Sequence, residues 1–239
     1  MKYFNCFSKN REKSTSGGIC SAVSKDLKSH AVCVGEGEDE DEWICVRFDH
    51  VSPCLTIVNC YGEQEGRSSK EEVVARWGRL RKELERIRSR GDFCLLIGDI
   101  NKLVGTGSLG VPGNHPEVSQ GGHLVRDLVQ SGDWLLINSM EGVVKGGPFT
   151  RRDPATGRES CLDLFICSAG LAPYVKSLEI DRERKWEVAR PVRRHGKMQL
   201  IYSDYYPMPY ATTSSCPGGQ TDRKGGCLEH SKRKWLADI

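Results

Sequence analysis

Residues 55–97 hold the pattern that most restricts this chain. Leu55–Cys60 (LTIVNC) is a short β-branched run that ends on Tyr61-Gly62, the mark of a strand leading into a turn. Lys70–Arg90 then reads as a helix. Ser69 and Glu72 form an S-x-x-E capping box, and Val73, Trp77, Leu80, Leu84 and Ile87 recur at spacings of three and four. Glu72 and Arg76 are spaced to pair across one turn. Gly91 stops the helix, and Phe93–Ile97 (FCLLI) is a continuous apolar run, as expected of a strand covered on both faces. Strand, long helix and doubly buried strand in close succession imply an α/β chain with helices layered on a sheet.

The rest of the chain extends that reading. Ile19–Val23, Ala31–Val34, Trp43–Phe48, Leu135–Ile137, Cys161–Cys167, Leu178–Ile180 and Met198–Tyr202 read as strands, and His123–Val129 as a short helix. Gly35–Glu42 carries six acidic residues and reads as a solvated hairpin tip. Asn101–Gln120 is rich in Gly, Pro, Asn and Ser without a period, and a loop of ~20 residues in a compact domain is often functional. After Pro209 the pattern ends. The expected organisation is a polar segment at 1–16, one strand-rich domain at 17–209 and a disordered basic tail at 210–239.

Charge and cysteine content narrow the function classes. The net charge of +3 resides at the ends: residues 1–16 carry +3 and residues 211–239 carry +2, which leaves the body at −2. Such a body has no strong non-specific pull on nucleic acid. A local excess of +5 at 182–197 suits either a solvated hairpin or a track along a nucleic-acid backbone. No apolar stretch approaches the ~20 residues that span a bilayer, and MKYFNCFSKN has no signal-peptide core. An intracellular protein of the nucleus or cytoplasm, without a membrane partner, is expected. The eleven cysteines include no C-x-x-C pair. Cys20, Cys33, Cys45, Cys60, Cys94 and Cys167 lie in apolar runs and read as buried free thiols.

Four candidate positions share one layout, a polar group at or just past an apolar strand. They are Tyr61 after LTIVNC, Asp99 with Asn101 after CLLIG, Asp163 inside CLDLFI, and Asp204 after LIYS. Strand ends are rigid supports that aim side chains into a common crevice. Carboxylates converging there suit a hard divalent cation such as Mg²⁺, and an Asn amide and a Tyr hydroxyl suit phosphate oxygens. Singly, each is also an ordinary turn residue.

LLIGDIN at 95–101, CLDLF at 161–165 and IYSDYYP at 201–207 resemble, in order and spacing, the endonuclease/exonuclease/phosphatase superfamily of DNase I-like and exonuclease III-like enzymes. The intervening segments resemble the endonuclease domain of a non-LTR retrotransposon polyprotein. The resemblance covers about residues 5–209. It implies a four-layer αββα sandwich, metal-dependent phosphodiester cleavage by an activated water, and DNA as substrate, with a reverse transcriptase downstream in the polyprotein. It implies that Asp99 activates the water, that Asn101 and Tyr61 hold the phosphate, and that Asp163 orients a catalytic imidazole. Asp99 and Asp204 would hold Mg²⁺ or Mn²⁺.

Two departures qualify that picture. The S-D-H triplet of the superfamily reads Ser203-Asp204-Tyr205 here, and a phenol with a pKa near ~10 is a poor replacement for an imidazole in catalysis at neutral pH. His115 and His195 would each need a large detour to replace it. The superfamily's metal-binding Glu precedes the segment matching Gly17–Val23, and the 16 residues ahead of it offer only Glu12. The expectation is an N-terminally truncated, catalytically impaired endonuclease domain. The alternatives are an inactive remnant with weak nucleic-acid binding, or another phosphoesterase of the superfamily.

Overall fold

The computed structural model describes residues 4–9, 18–24, 30–38, 41–64, 66–107, 109–111 and 116–180, together with the backbone of 190–194, 197–201 and 211–213. Its strands are β1 (Phe4–Lys9), β2 (Ile19–Ser24), β3 (Ala31–Glu36), β4 (Trp43–Phe48), β5 (Leu55–Cys60), β6 (Phe93–Asp99), β7 (Trp134–Leu136), β8 (Val144–Lys145), β9 (Arg151–Arg152), β10 (Glu159–Ser160), β11 (Asp163–Ser168), β12 (Val175–Glu179), β13 (Arg190–Arg194), β14 (Lys197–Ile201) and β15 (Ala211–Thr213). The helices are α1 (Lys70–Ser89) and α2 (Gln120–Gln130).

Six strands form the main sheet in the order β3-β4-β5-β6-β11-β7. All its pairs are antiparallel except β5–β6, which α1 joins as a parallel crossover. The cap of α1 is formed as the sequence predicts: Glu72 N–H donates to Ser69 Oγ at 3.2 Å and Ser69 N–H to Glu72 Oε2 at 2.8 Å. Arg76 pairs with Glu63, with Nη1 3.0 Å from Oε2. Gly91 ends the helix in the left-handed region at φ 79°.

Period-two alternation along the main sheet builds two apolar layers. Cys45, Val58, Cys94, Leu96, Leu164 and Ile166 face the helices and pack on Leu80, Leu84, Ile87, Val125 and Leu128. Val46, Leu55, Leu95, Phe165 and Cys167 face the other way, onto Val23, Leu178, Ile180 and half-buried Phe7. The second layer is covered by the β1–β2 hairpin and by the small sheet β15-β12-β8. Helices, large sheet and small sheets are three of the four layers the resemblance implies.

Several sequence expectations change. Residues 4–9, read as part of a polar segment, form β1, paired with β2 from Phe4↔Ser24 to Lys9↔Ile19. Its inward face is Asn5, Phe7 and Lys9, with one apolar residue, so alternation could not betray it. The acidic loop is not wholly solvated: Asp41 is buried and takes a bidentate ion pair from Arg79 at 2.5 and 2.8 Å. Cys45, Cys60, Cys94 and Cys167 are buried free thiols as expected, and Cys161 joins them. Cys20 and Cys33 are exposed, Cys20 because Ile19 and Val23 take the inward face of β2. Helix α2 begins three residues before the expected start, with Ser119 as its cap. The backbone of 190–194 and 197–201 forms the antiparallel pair β13–β14. The tail, apart from β15, lies outside the described residues.

Candidate active site

Three neighbouring strands of the main sheet bring the candidate residues to one edge. Tyr61 follows the last residue of β5, Asp99 ends β6, and Asp163 opens antiparallel β11. Asp99 and Asp163 are direct register partners. Ile100 N–H donates to Leu162 O at 2.9 Å, which makes the Asp99–Asp163 rung the close, non-hydrogen-bonded kind, with Cα atoms ~4.5 Å apart. Two carboxylates therefore share one patch of the sheet, on the face that meets the smaller sheets.

The backbone around them is tightly fitted. Gly98 adopts φ 135°, and a Cβ there would lie 1.9 Å from Cys60 O. A Cβ on Gly62 would lie 1.9 Å from Ile100 O. These contacts explain the glycine before Asp99 and the one after Tyr61: the two segments touch backbone to backbone. Gly62 N–H donates to Asp99 O at 2.7 Å, and Asn101 Nδ2 returns a bond to Gly62 O at 2.8 Å. Asn101 itself is left-handed, at φ 54°, and buried. Its backbone N–H donates to Asp99 Oδ1 at 3.2 Å, which fixes that carboxylate. One N–H of the Asn101 amide thus anchors the loop that carries Tyr61.

Asp163 is 9% exposed, and its Oδ2 is buried with no hydrogen-bond partner among the described residues. Burial first, and the charge of Asp99 second, push its pKa up to about 7 from 3.8; a hydrogen bond from Thr150 opposes them. Thr150 is fully buried, and its Oγ1 accepts the backbone N–H groups of Leu162 and Asp163, both at 3.1 Å. Asn138 is a further residue that motif spacing passes over. Its amide donates to Asp163 O at 3.2 Å and accepts from Phe165 N–H at 2.7 Å, continuing the ladder where β7 has ended. The available signal was its place just past an apolar strand, the same layout as the other candidates.

Asp204 and Tyr205, with His115 and His195, lie outside the described residues. Among the described residues no three His, Cys, Asp or Glu side chains form a metal cage. Asp99 offers a hard oxygen donor at the strand end. That suits Mg²⁺, which binds through one or two carboxylates and keeps its other positions for water and phosphate. A cavity of about 210 Å³ lies nearby but does not include either carboxylate; it opens on the helix side, behind Tyr61 and Ile100.

The structure resembles solved proteins of one architecture. A 3′ phosphatase, NExo, from Neisseria, bound to a product DNA hairpin, superposes with a TM-score of 0.60 at 15% identity, over 90% of this chain and 80% of that one. The chain carries the endonuclease/exonuclease/phosphatase fold. The endonuclease domain of TRAS1, a telomere-specific non-LTR retrotransposon, gives 0.52 at 12% identity over 75% of this chain and 74% of that one. A mannosyl-6-phosphatase from Bacteroides thetaiotaomicron gives 0.52 at 14%, over 85% and 74%. No protein-family profile and no curated protein matches the sequence. These likenesses show the fold, and on it the chain carries a pair of carboxylates at a strand end. Among the described residues no helix is long and apolar enough to cross a membrane.

Proposed function

We propose that the domain at residues 17–209 is a metal-dependent phosphodiesterase acting on DNA, the endonuclease module of a non-LTR retrotransposon, with a reverse transcriptase as its partner in the polyprotein. The observation that carries the reading is the Asp99–Asp163 rung, two carboxylates on adjacent strands beside an Asn and a Tyr. The DNA-bound phosphatase and the retrotransposon endonuclease among its structural neighbours support DNA as the substrate.

Asp99, held by the Asn101 N–H, takes the proton of the attacking water. The second N–H of the Asn101 amide and the Tyr61 hydroxyl donate to phosphate oxygens without adding negative charge. Mg²⁺ or Mn²⁺, held by Asp99 and Asp204, would neutralise the charge that develops on the phosphoryl oxygens. Asp163 is a positioning residue; its orphaned oxygen awaits a donor that the superfamily supplies as an imidazole. In this chain the corresponding triplet ends in Tyr205, so the reaction runs without the help of that imidazole, at a cost of ~10²–10⁴ in rate.

Nicking of supercoiled plasmid in Mg²⁺ and Mn²⁺ tests the reading. Slow nicking is expected, lost in Asp99→Ala and raised about 10²-fold in Tyr205→His. Nicking that survives Asp99→Ala would sink it.

A further inference from the structure

The cysteines divide by exposure. Cys45, Cys60, Cys94, Cys161 and Cys167 are buried, and burial pushes their thiols up, to about 12 at Cys60 and Cys167. Thiols held protonated and out of solvent are inert. Among the described residues Cys6, Cys20 and Cys33 are exposed. Cys33 Sγ donates to the nearby Gly35 O at 3.7 Å. Cys6 and Cys20 have each other. Across the β1–β2 hairpin Cys6 pairs with Ala22 and Cys20 with Ser8, so the two thiols are diagonal neighbours on its outward face. On a flat ladder such neighbours stand ~7–8 Å apart at Cα, just beyond the reach of a disulfide. A two-stranded ribbon twists more than a wide sheet, which closes one of its two diagonals. Here the two thiols share a hydrogen bond.

The two strands are held to the main sheet unequally. β2 buries Ile19 and Val23, and Asn59 Nδ2 of β5 donates to Cys20 O at 3.1 Å and to Ser21 Oγ at 3.2 Å. β1 gives the apolar layer one side chain, half-buried Phe7, and Lys9 Nζ donates to Asp41 O at 3.0 Å. A covalent tie to β2 would therefore hold the strand that packing holds least. We infer that Cys6 and Cys20 are a thiol–disulfide exchange site, joined into a reversible disulfide by a low-molecular-weight disulfide, and that the bond fastens β1 to β2. In the first step one protein thiolate attacks the small disulfide, forms a mixed disulfide and expels one small thiolate. The second protein thiolate then attacks the protein sulfur of that mixed disulfide, closes the Cys6–Cys20 bond and expels the other small thiolate. The protein gives up two electrons to the small disulfide, and the two protons leave on the two small thiols. Burial first, and Cys6 beside it second, raise the pKa of Cys20, which suits it to the second step. The inference is independent of the catalytic reading.

The test reads the bond and its effect separately. The folded full chain is incubated with oxidised glutathione, its remaining thiols are alkylated, and it is digested with trypsin without reduction. Lys9, Arg11 and Lys13 lie between the two cysteines, so only a disulfide keeps peptides 3–9 and 14–25 together. The expected product is that linked pair, released by dithiothreitol, while the five buried cysteines are recovered alkylated only after denaturation. Closing a loop of ~15 residues should raise the Tm of the oxidised chain by about 5–10 °C over the reduced one. Cys20→Ser, an exposed and conservative change, should stop at the glutathione adduct on Cys6 and show no such rise, and circular dichroism checks that it is folded. Adducts on the wild-type chain without the link, or a link from either cysteine to a third, would overturn the inference. So would a linked chain with an unchanged Tm, or an equal rise in Cys20→Ser.

Discussion

Two buried aspartates flank the same strand and have opposite fates. Asp92, just before β6, is 6% exposed; Asp163, opposite the far end of β6, is 9% exposed. Asp92 accepts two bonds from Arg47, at 2.8 and 3.1 Å, and one from Thr56 at 3.1 Å, with Arg90 Nη2 at 3.6 Å. Burial alone would raise its pKa, but these hydrogen bonds and charges outweigh it and hold the carboxyl below its ordinary value. Among the described residues Asp163 has no cation at that range; it faces Asp99 instead and titrates near neutrality. Equal burial therefore decides nothing by itself; the partners do. One end of β6 is satisfied; the other carries a carboxylate oxygen without a partner among the described residues, and a perturbed buried carboxylate of that kind is a candidate for function.

The comparison predicts opposite signs for the same substitution at its two ends. Asp92→Asn should destabilise the domain by about 2–4 kcal/mol at pH 7, because it leaves Arg47 and Thr56 facing a group that cannot neutralise or satisfy them. Urea denaturation measures it. The loss should shrink in acid, since a carboxylate with a depressed pKa contributes above its unfolded value near ~3.9 and ceases to as pH falls through the folded one. A loss under 0.5 kcal/mol would mean that the finished end is not finished by these contacts.

Asp163→Asn should act the other way, and only at neutral to alkaline pH. Between about pH 4 and 7 the unfolded chain has released a proton that the folded chain retains, so Asp163 makes stability fall as pH rises through that window. Full ionisation costs at most about 4 kcal/mol, part of which a buried Asn amide gives back. The expected net is a gain of about 1–2 kcal/mol at pH 8.5, none at pH 5, and a flatter pH profile between them. A variant that loses stability at pH 8.5, as Asp92→Asn does, would show that Asp163 has a cationic partner after all.

These contrasts also mark what the sequence could convey. Strand runs, the S-x-x-E cap and the residues after strand ends are local, and the candidates Tyr61, Asp99, Asn101 and Asp163 read from them fall on one sheet edge. What stayed hidden depends on contacts made far along the chain. Phe4–Lys9 is a strand only because 19–24 pairs with it, and Asp41 is buried only because Arg79 arrives from α1. Thr150 and Asn138 support Asp163 from separate segments, Asn138 from the 3-10 turn Ile137–Ser139, and share no spacing with it. The glycine of the G-D-x-N motif was legible as a letter, but its reason, the approach of Cys60 O, is a three-dimensional one.

The smallest expected effect discriminates most sharply between a metal site and a merely strained one. Mg²⁺ at ten times its dissociation constant should stabilise the folded chain by about 1.4 kcal/mol, an upward shift of about 3–5 °C in Tm. A cation beside Asp99 favours loss of the Asp163 proton, so the shift should grow from pH 6 to pH 8, as binding ceases to compete with protonation. Asp99→Ala should abolish it, because the cation then loses its strand-end ligand. Asp92→Asn, at the other end of β6, should lower the Tm of the apo chain and leave the Mg²⁺ increment intact. Equal increments in all three proteins would place cation binding elsewhere and make the carboxylate pair an uncompensated strain. An increment confined to chains with Asp99 would make that end of the sheet a metal site, distinguished from Asp92 by the partner each was given.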